Sequence, residues 1–331
     1  MNTFRFALIQ LGLRALRALS TNEADPADVY FCYRLLLERE PDASGWEHHL
    51  KSIAPGRERK MLVKSFLGSA EYQATHGRAT FVPVETERFV IWVDAEDPQV
   101  GRGIMAARSY ETHVTTALLR ELRPDSTFVD IGANMGWFTL LGATVARQVI
   151  AIEPNPANVQ LLYRSLPANG FENVRVIQGA VTDRPNLLQL NFLHSNGSVS
   201  SVEAAATTST IVQGNALDSL LKDIERIDVM KMDIEGHEPI ALEGMRETLR
   251  RFRPVLIFEF HPAAIRQNAG GDPESFLRAL GDLGYRLAVI RLDGTESDDL
   301  SAAGIMGEWQ RINAEMEMDG DMHLDLIGRP T

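Results

Sequence analysis

The 331-residue chain contains one cysteine, Cys32. A single thiol excludes an intrachain disulfide and zinc clusters built on paired CxxC ligands, and it fits a reducing cytosol. The chain also lacks an uninterrupted apolar run of about 18 residues, so no membrane-spanning helix is expected. Basic residues are in short supply. The 33 Lys and Arg face 45 Asp and Glu, leaving a formal net charge of −12. General affinity for nucleic acid is therefore not expected, because neutralising phosphates needs a basic surface. What remains is an ordinary globular composition, 44% hydrophobic and 24% charged, long enough for one large domain or two ordinary ones.

The shortage of positive charge is local. Residues 1–80 hold 11 basic and 9 acidic residues, whereas residues 81–331 hold 22 and 36. That shift places a boundary near residue 80, between an N-terminal helical module (1–80) and a larger domain (81–331). Residues 292–321 carry nine acids and one base, Arg311. Because like charges resist packing, this segment is expected to be a solvated loop or a lid.

The first twenty residues carry Arg5, Arg14 and Arg17 and no acid. Arg14 and Arg17 interrupt the apolar core that a signal peptide needs, so export is rejected. Two readings remain: an amphipathic helix on an anionic membrane surface, or a first helix packed on its own protein, which is preferred. The expected location is cytoplasmic, with peripheral contact at the inner membrane through residues 1–20 as the alternative.

Beyond Asp25, Val29, Tyr33, Leu36 and Leu37 recur at helical spacing. Pro41 is expected to end that helix. Asp42 is placed to cap a second helix bearing Trp46 and Leu50 on one face, and Met61, Leu62 and Phe66 mark a third. Cys32 is expected in the core. His48 and His49 are adjacent, so they point in different directions and do not suggest a paired metal site. The run Arg39-Glu40-Pro41-Asp42 with Gly45-Trp46, followed by Phe66-Leu67, Ser69 and Glu71-Tyr72, resembles a small helical repeat of undefined function. That repeat is found in bacterial surface-associated and glycan-related proteins.

From residue 125 the pattern becomes alternating strands and helices. Apolar runs at 127–131, 148–152, 174–177, 228–232 and 255–260 are separated by helical stretches at 137–147, 157–169, 216–225 and 239–252. Late strands are expected at 287–290 and 323–327. Continuous apolar strands flanked by helices imply a doubly wound α/β domain with a mostly parallel sheet. Ligands in such sheets lie beyond the carboxyl ends of the strands.

The first strand end reads Asp130-Ile131-Gly132-Ala133-Asn134-Met135-Gly136. Gly132 and Gly136 allow a tight turn. The pattern is not GxGxxG, since Asn134 stands where the middle glycine would be. Asp130 adds negative charge that repels a pyrophosphate and attracts an ammonium. The second strand ends at Glu153, 21 residues after Gly132, where a carboxylate can accept from both ribose hydroxyls. A nucleoside carrying an amino-acid cation fits these features, and S-adenosylmethionine is such a molecule.

At this point residues from about 85 to 262 resemble the FkbM-type methyltransferases, a branch of the class I, S-adenosylmethionine-dependent family. The matching text is Tyr110-Glu111, 130–136, Ile152–Asn155, Asn173-Val174, Ala180-Val181, Ser198–Ser201, Leu217-Asp218 and, most specifically, Lys231-Met-Asp-Ile-Glu-Gly-His-Glu238. The resemblance implies a Rossmann-like, seven-stranded sheet preceded by a small all-α domain, with O-methylation as the activity. It assigns Asp130, Gly132, Ala133, Asn134 and Gly136 to the methionine end. It assigns Glu153 to the ribose, with Pro154 and Asn155 shaping the adenine side. The third strand ends Gln178-Gly179-Ala180-Val181 with no acid for the adenine amino group, so Asp183 or a backbone carbonyl near Ala180 is expected there.

An alcohol is a poor nucleophile while protonated, so a general base is expected. The fourth strand offers Asp233, Glu235, His237 and Glu238, and the fifth offers Glu259 and His261. These six can form one cluster above the sheet. Asp233 sits where cofactor and acceptor meet. His237 is a candidate base because imidazole titrates near neutral pH, and Glu259 and His261 are the alternatives. A divalent ion on Asp233, Glu259 and His261 is a further alternative to the metal-free site preferred here. Glu235 and His194, the latter beside the turn signal Asn196-Gly197, are the substrate-binding candidates. Lys231 reads as a snorkelling strand residue, and His113 as a surface residue. The preferred acceptor is a hydroxyl on a sugar, glycan or glycolipid, with a polyketide or other secondary metabolite second. The rivals are a dinucleotide oxidoreductase, disfavoured by the missing glycine, and a non-catalytic glycan-binding scaffold, disfavoured by the intact strand ends.

Overall fold

The computed structural model describes residues 23–53, 57–69, 71–72, 81–193, 195–201, 209–318, 320 and 322–331. The expectations for residues 1–20 and for His194 fall outside the described residues. The chain divides into two compact units, Met1–Thr80 and Phe81–Thr331. No helix among the described residues is long and apolar enough to cross a membrane.

The first unit contains helices Pro26–Leu36, Ala43–Ser52 and Arg59–Leu67. Asp25 caps the first by accepting from the Ala27 and Asp28 amides, and Asp28 returns the bond to the Asp25 amide. This helix stops before Pro41 is reached. Asp42 caps the second helix by accepting from the Gly45 amide, as the sequence suggested. Val29, Cys32, Tyr33 and Leu36 pack with Leu62, Val63 and Phe66, and Tyr33 meets Phe66 edge-on at 5.0 Å. Met61, expected on the packed face, is exposed, and its neighbour Val63 is buried instead. His49 stacks on Phe66 at 4.2 Å.

The second unit is built on a seven-stranded sheet. Its strands are β3 (Thr127–Ile131), β4 (Gln148–Glu153), β5 (Val174–Gln178), β10 (Val229–Met232), β11 (Val255–Phe260), β12 (Tyr285–Ile290) and β13 (Leu324–Pro330), numbered along the whole chain. Their order is β12-β13-β11-β10-β3-β4-β5. Strand β13 runs antiparallel to both neighbours, and the other pairings are parallel. The chain builds outward from β3 to β4 and β5, then crosses back to β10, so the carboxyl ends of β3 and β10 flank the switch point where a crevice opens. Every residue of β3 is buried, as expected for a strand covered on both faces. Val129 and Ile131 face one core, while Phe128 faces the other with Leu140 and Leu141 of helix Trp137–Ala143.

Three features differ from the sequence expectation. The hairpin β1 (Phe81–Glu85) with β2 (Val90–Asp94) precedes the sheet. A separate sheet contains β6 (Ala180–Val181), β7 (Asn186–Leu193), β8 (Asn196–Ser201) and β9 (Ser209–Asn215), in the order β6-β9-β7-β8. Third, residues 292–321 are neither an open loop nor a lid throughout. Helix Ala302–Glu315 buries Ile305, Trp309 and Asn313, and the Trp309 indole donates to the Met322 carbonyl at 2.6 Å. The acids are tolerated because Glu308 and Glu315 stay outside and pair with Arg311; one apolar stripe is enough to dock a helix.

Candidate active site

A cavity of about 330 Å³ opens at the switch point, within the usual range for small-molecule sites. Its floor is the turn after β3. Gly132, Asn134 and Gly136 all adopt left-handed backbone, with φ of +80°, +50° and +98°. Glycine is required at 132 for a second reason: a Cβ there would lie 1.8 Å from the Asp233 carbonyl oxygen.

The amides of this turn are committed internally. Gly132 and Ala133 donate to the Ile152 carbonyl, Gly136 to the Ala133 carbonyl, Met135 to the Asn134 side chain, and Asn134 to Glu153 Oε2 at 2.8 Å. The turn is therefore no nest for a pyrophosphate, which needs amides aimed outward.

Glu153 ends β4 and lines the cavity. Its Oε1 accepts from the Asn155 amide at 2.7 Å and the Asn158 side chain at 3.3 Å. A carboxylate has about four acceptor sites. Three are occupied, so one acceptor site remains. Burial pushes the Glu153 carboxyl up to about 7, against the lowering effect of the Asn155 and Asn134 amides. The other expected cofactor residues separate into two groups. Gly132, Ala133, Asn134, Pro154, Ala180 and Asp233 line the cavity, but Asp130, Gly136 and Asn155 do not.

The reasons are local. The two-residue period of β3 turns Asp130 to the face covered by helix Trp137–Ala143, where Oδ2 accepts from Thr139 at 2.6 Å and Oδ1 has no hydrogen-bond partner among the described residues. Burial raises its carboxyl. Gly136 is pressed against Leu162, where a Cβ would sit 2.5 Å from Cδ1. Asn155 caps helix Pro156–Asn169 by accepting from the Ala157 amide. Asp183 is also absent from the lining, which leaves the backbone of Gly179, Ala180 and Val181 on the adenine side.

At the opposite end, Tyr110, Glu111, Lys231, Asp233, Glu235 and Glu259 line the cavity, followed by His261 and His323. Of the six residues expected to form one cluster, five line this space, and Glu238 lies beneath it. Glu238 is buried, and its Oε1 accepts from the Ile234 amide at 3.0 Å, bracing the turn after β10. Burial pushes it up to about 7. His237 is also buried, its Nε2 3.4 Å from Thr182 Oγ1, and burial pushes its imidazole down to about 4. That makes it a weak base on the adenine side of the cavity, not the near-neutral base the sequence suggested. Burial together with Asp233 pushes Glu235 up to about 7. Glu259 is raised well above the ordinary carboxyl range by burial and by Asp233, Glu235, Glu238 and Asp325.

Lys231 does not snorkel. Its side chain is 5% exposed, with Nζ 2.9 Å from Asp233 Oδ2 and 4.5 Å from the Phe138 ring centre. Burial alone would depress it, but Asp233, Glu111 and Asp130 outweigh burial and keep it charged. His113 is likewise no surface residue. It bonds Asp325 at 2.7 Å, which raises its imidazole. Among the described residues, no three His, Cys, Asp or Glu side chains are grouped to hold a metal ion.

Several site residues carried no local signal. His323 comes from the far end of the chain, its Nδ1 3.6 Å from Glu259 Oε2. Glu111 stands in the matching text but heads helix Thr112–Glu121 with φ +37°. The turn signal at Asn196-Gly197 marked the roof, but not the bonds that hold it. The Ser195 amide donates to Asp97 Oδ2 at 2.7 Å, and Asn158 donates to the Ser195 carbonyl at 2.9 Å. Asn134 donates to the Asn196 side chain at 2.8 Å. These bonds tie the start of β8 over the cavity.

The chain is similar to several known proteins. Residues 130–287 match the methyltransferase FkbM domain, and residues 16–76 match a domain of unknown function, DUF4214. A hexuronic acid methyltransferase, AglP of Haloferax volcanii, is 28% identical over 192 residues, covering 56% of this chain and 74% of the relative. Among solved structures, a methyltransferase FkbM from Methylobacillus flagellatus KT aligns with a TM-score of 0.39 and 14% identity, over 90% of this chain and 58% of that one. TYW2 from M. jannaschii, in complex with AdoMet, aligns with a TM-score of 0.39 and 14% identity, over 77% of this chain and 89% of that one. Residues 130–287, just under half of the chain, thus carry the match to a methyltransferase FkbM domain, and with it the reading of the chain as a methyltransferase.

Proposed function

We propose that the protein transfers a methyl group to a hydroxyl of a sugar within a glycan or glycolipid. The observation that carries this reading is the continuity of the cavity from Glu153 to Glu259 and His261. One end suits a nucleoside, and the other offers proton acceptors. The similarity to a hexuronic acid methyltransferase supports a sugar as the acceptor.

The residues divide the work. Glu153 takes one ribose hydroxyl, Pro154 and Gly179–Val181 border the adenine, and Gly132–Met135 face the methionine end. Glu111 and Asp233 supply negative charge for that cationic end, with Lys231 fixing Asp233. S-adenosylmethionine supplies an electrophilic methyl on a sulfonium, with the thioether as leaving group. The acceptor hydroxyl would take the cofactor's methyl and give up its proton to Glu259 or to His261. Burial and the neighbouring carboxylates raise Glu259 above the ordinary carboxyl range, which strengthens it as a proton acceptor. Glu235 borders the acceptor.

The test is transfer of labelled methyl from S-adenosylmethionine to a fractionated glycan extract. Label in a sugar-bearing fraction is expected. Label confined to a lipid or natural-product fraction without sugar would overturn the sugar reading.

A further inference from the structure

The charge lining the cavity restricts which sugar can enter. Five carboxyl side chains line it: Glu111, Glu153, Asp233, Glu235 and Glu259. Among the described residues only one lining side chain carries a permanent positive charge, Lys231, and no arginine lines the space. Lys231 is already engaged, 2.9 Å from Asp233 and in the field of Glu111 and Asp130. Carboxylate recognition normally rests on a free bidentate arginine or an uncommitted lysine. Among the described residues, the only other groups at the acceptor end that can become cationic are imidazoles. His323 already faces Glu259 at 3.6 Å and Asp325 at 3.9 Å, and His261 Nδ1 is 3.5 Å from the Ala264 amide.

A second argument comes from the chemistry. A carboxylate is a competent nucleophile without help, whereas a hydroxyl must lose a proton. This end of the cavity is rich in proton acceptors and poor in anion ligands, which suits a hydroxyl.

Resting on the sugar reading above, we infer that the acceptor is an uncharged sugar methylated on a hydroxyl, and that the site excludes hexuronic acids. In this the chain departs from the relative named for hexuronic acid. Bringing a fourth carboxylate among Asp233, Glu235 and Glu259 adds like charge in a partly dry space, where repulsion is weakly screened. A neutral polyol instead gains hydrogen bonds from the same groups, as donor to carboxylates and acceptor from protonated acids.

The experiment is calorimetric titration of the full chain, saturated with S-adenosylhomocysteine, with methyl glucopyranoside and with its matched glucuronide at pH 8. The neutral glycoside is expected to bind at least 10-fold more tightly. Glu235→Gln and Glu259→Gln should each narrow the gap by improving the glucuronide. Equal or tighter binding of the glucuronide to the wild-type chain overturns the inference and leaves the sugar reading standing. A gap unmoved by both substitutions overturns its electrostatic cause. Binding of S-adenosylhomocysteine with neither sugar taken up counts against the sugar reading itself, and the inference falls with it.

Discussion

At the scale of single residues, the site depends on side chains whose partners are backbone amides. Glu153 is the clearest case, since it orders the β3 turn through the Asn134 amide and the next helix through the Asn155 amide. Glu153→Gln keeps the shape but aims an amide group at a donor and removes the charge. Charge-assisted bonds contribute about 1.5–3 kcal/mol, so S-adenosylmethionine affinity should fall by about 10- to 100-fold, read by calorimetry. Gly132 is constrained differently. Gly132→Ala places a methyl against the Asp233 carbonyl at a left-handed φ, and a stability loss of about 3 kcal/mol or more is expected in denaturant unfolding. Both positions were legible because glycines and an acid at strand ends have a known spacing. Asp130 was legible as a residue but not in its role. The side chain's direction follows from which helix covers that face of β3, and no local pattern records that.

At the scale of elements, the parallel strands were the easiest to read, because continuous burial makes continuous apolar runs. Strand β11 spans Val255–Phe260 as the apolar run indicated. The sheet of β6, β7, β8 and β9 was not read. Strand Asn196–Ser201 is polar in sequence and carries no apolar run, although its partner β7 lies just before it. Helix Ala302–Glu315 was hidden by its outward acids. The roof over the cavity makes its own prediction. Asp97 accepts from the Val100 and Gly101 amides through Oδ1 and from the Ser195 amide through Oδ2. Asp97→Asn loses one of these bonds, at a cost of about 1–3 kcal/mol. Amide exchange at 195–201 should rise and cofactor affinity should fall, while exchange in β3 and β4 stays slow. Unchanged exchange at 195–201 would remove Asp97 from this role.

For the whole molecule, the buried acids set a pH dependence. Glu153, Glu235 and Glu238 are held at about 7, above the ordinary 4.5. Between those values the folded chain binds more protons than the unfolded one, so stability falls as pH rises from about 4.5 to about 7. His113, raised by Asp325, acts in the same direction, and His237, at about 4, opposes it. The unfolding midpoint of the ligand-free chain should therefore be higher at pH 5.5 than at pH 8. Glu238→Gln should flatten that difference by on the order of 1 kcal/mol. A midpoint that climbs steadily to pH 8 would contradict the raised carboxyls. The net charge of −12 thus has a structural share beyond the surface, since part of it lines the site.

The most direct measurement of the central claim is the chemical form of the transferred methyl. Labelled S-adenosylmethionine, the full chain and a sugar acceptor should give label that survives mild alkali, as an ether does, and Glu259→Gln should lower its rate of appearance while cofactor binding persists. Label released by mild alkali would identify a methyl ester on a carboxyl group and contradict hydroxyl methylation. No transfer to any sugar, with S-adenosylmethionine bound, would contradict the proposed acceptor class.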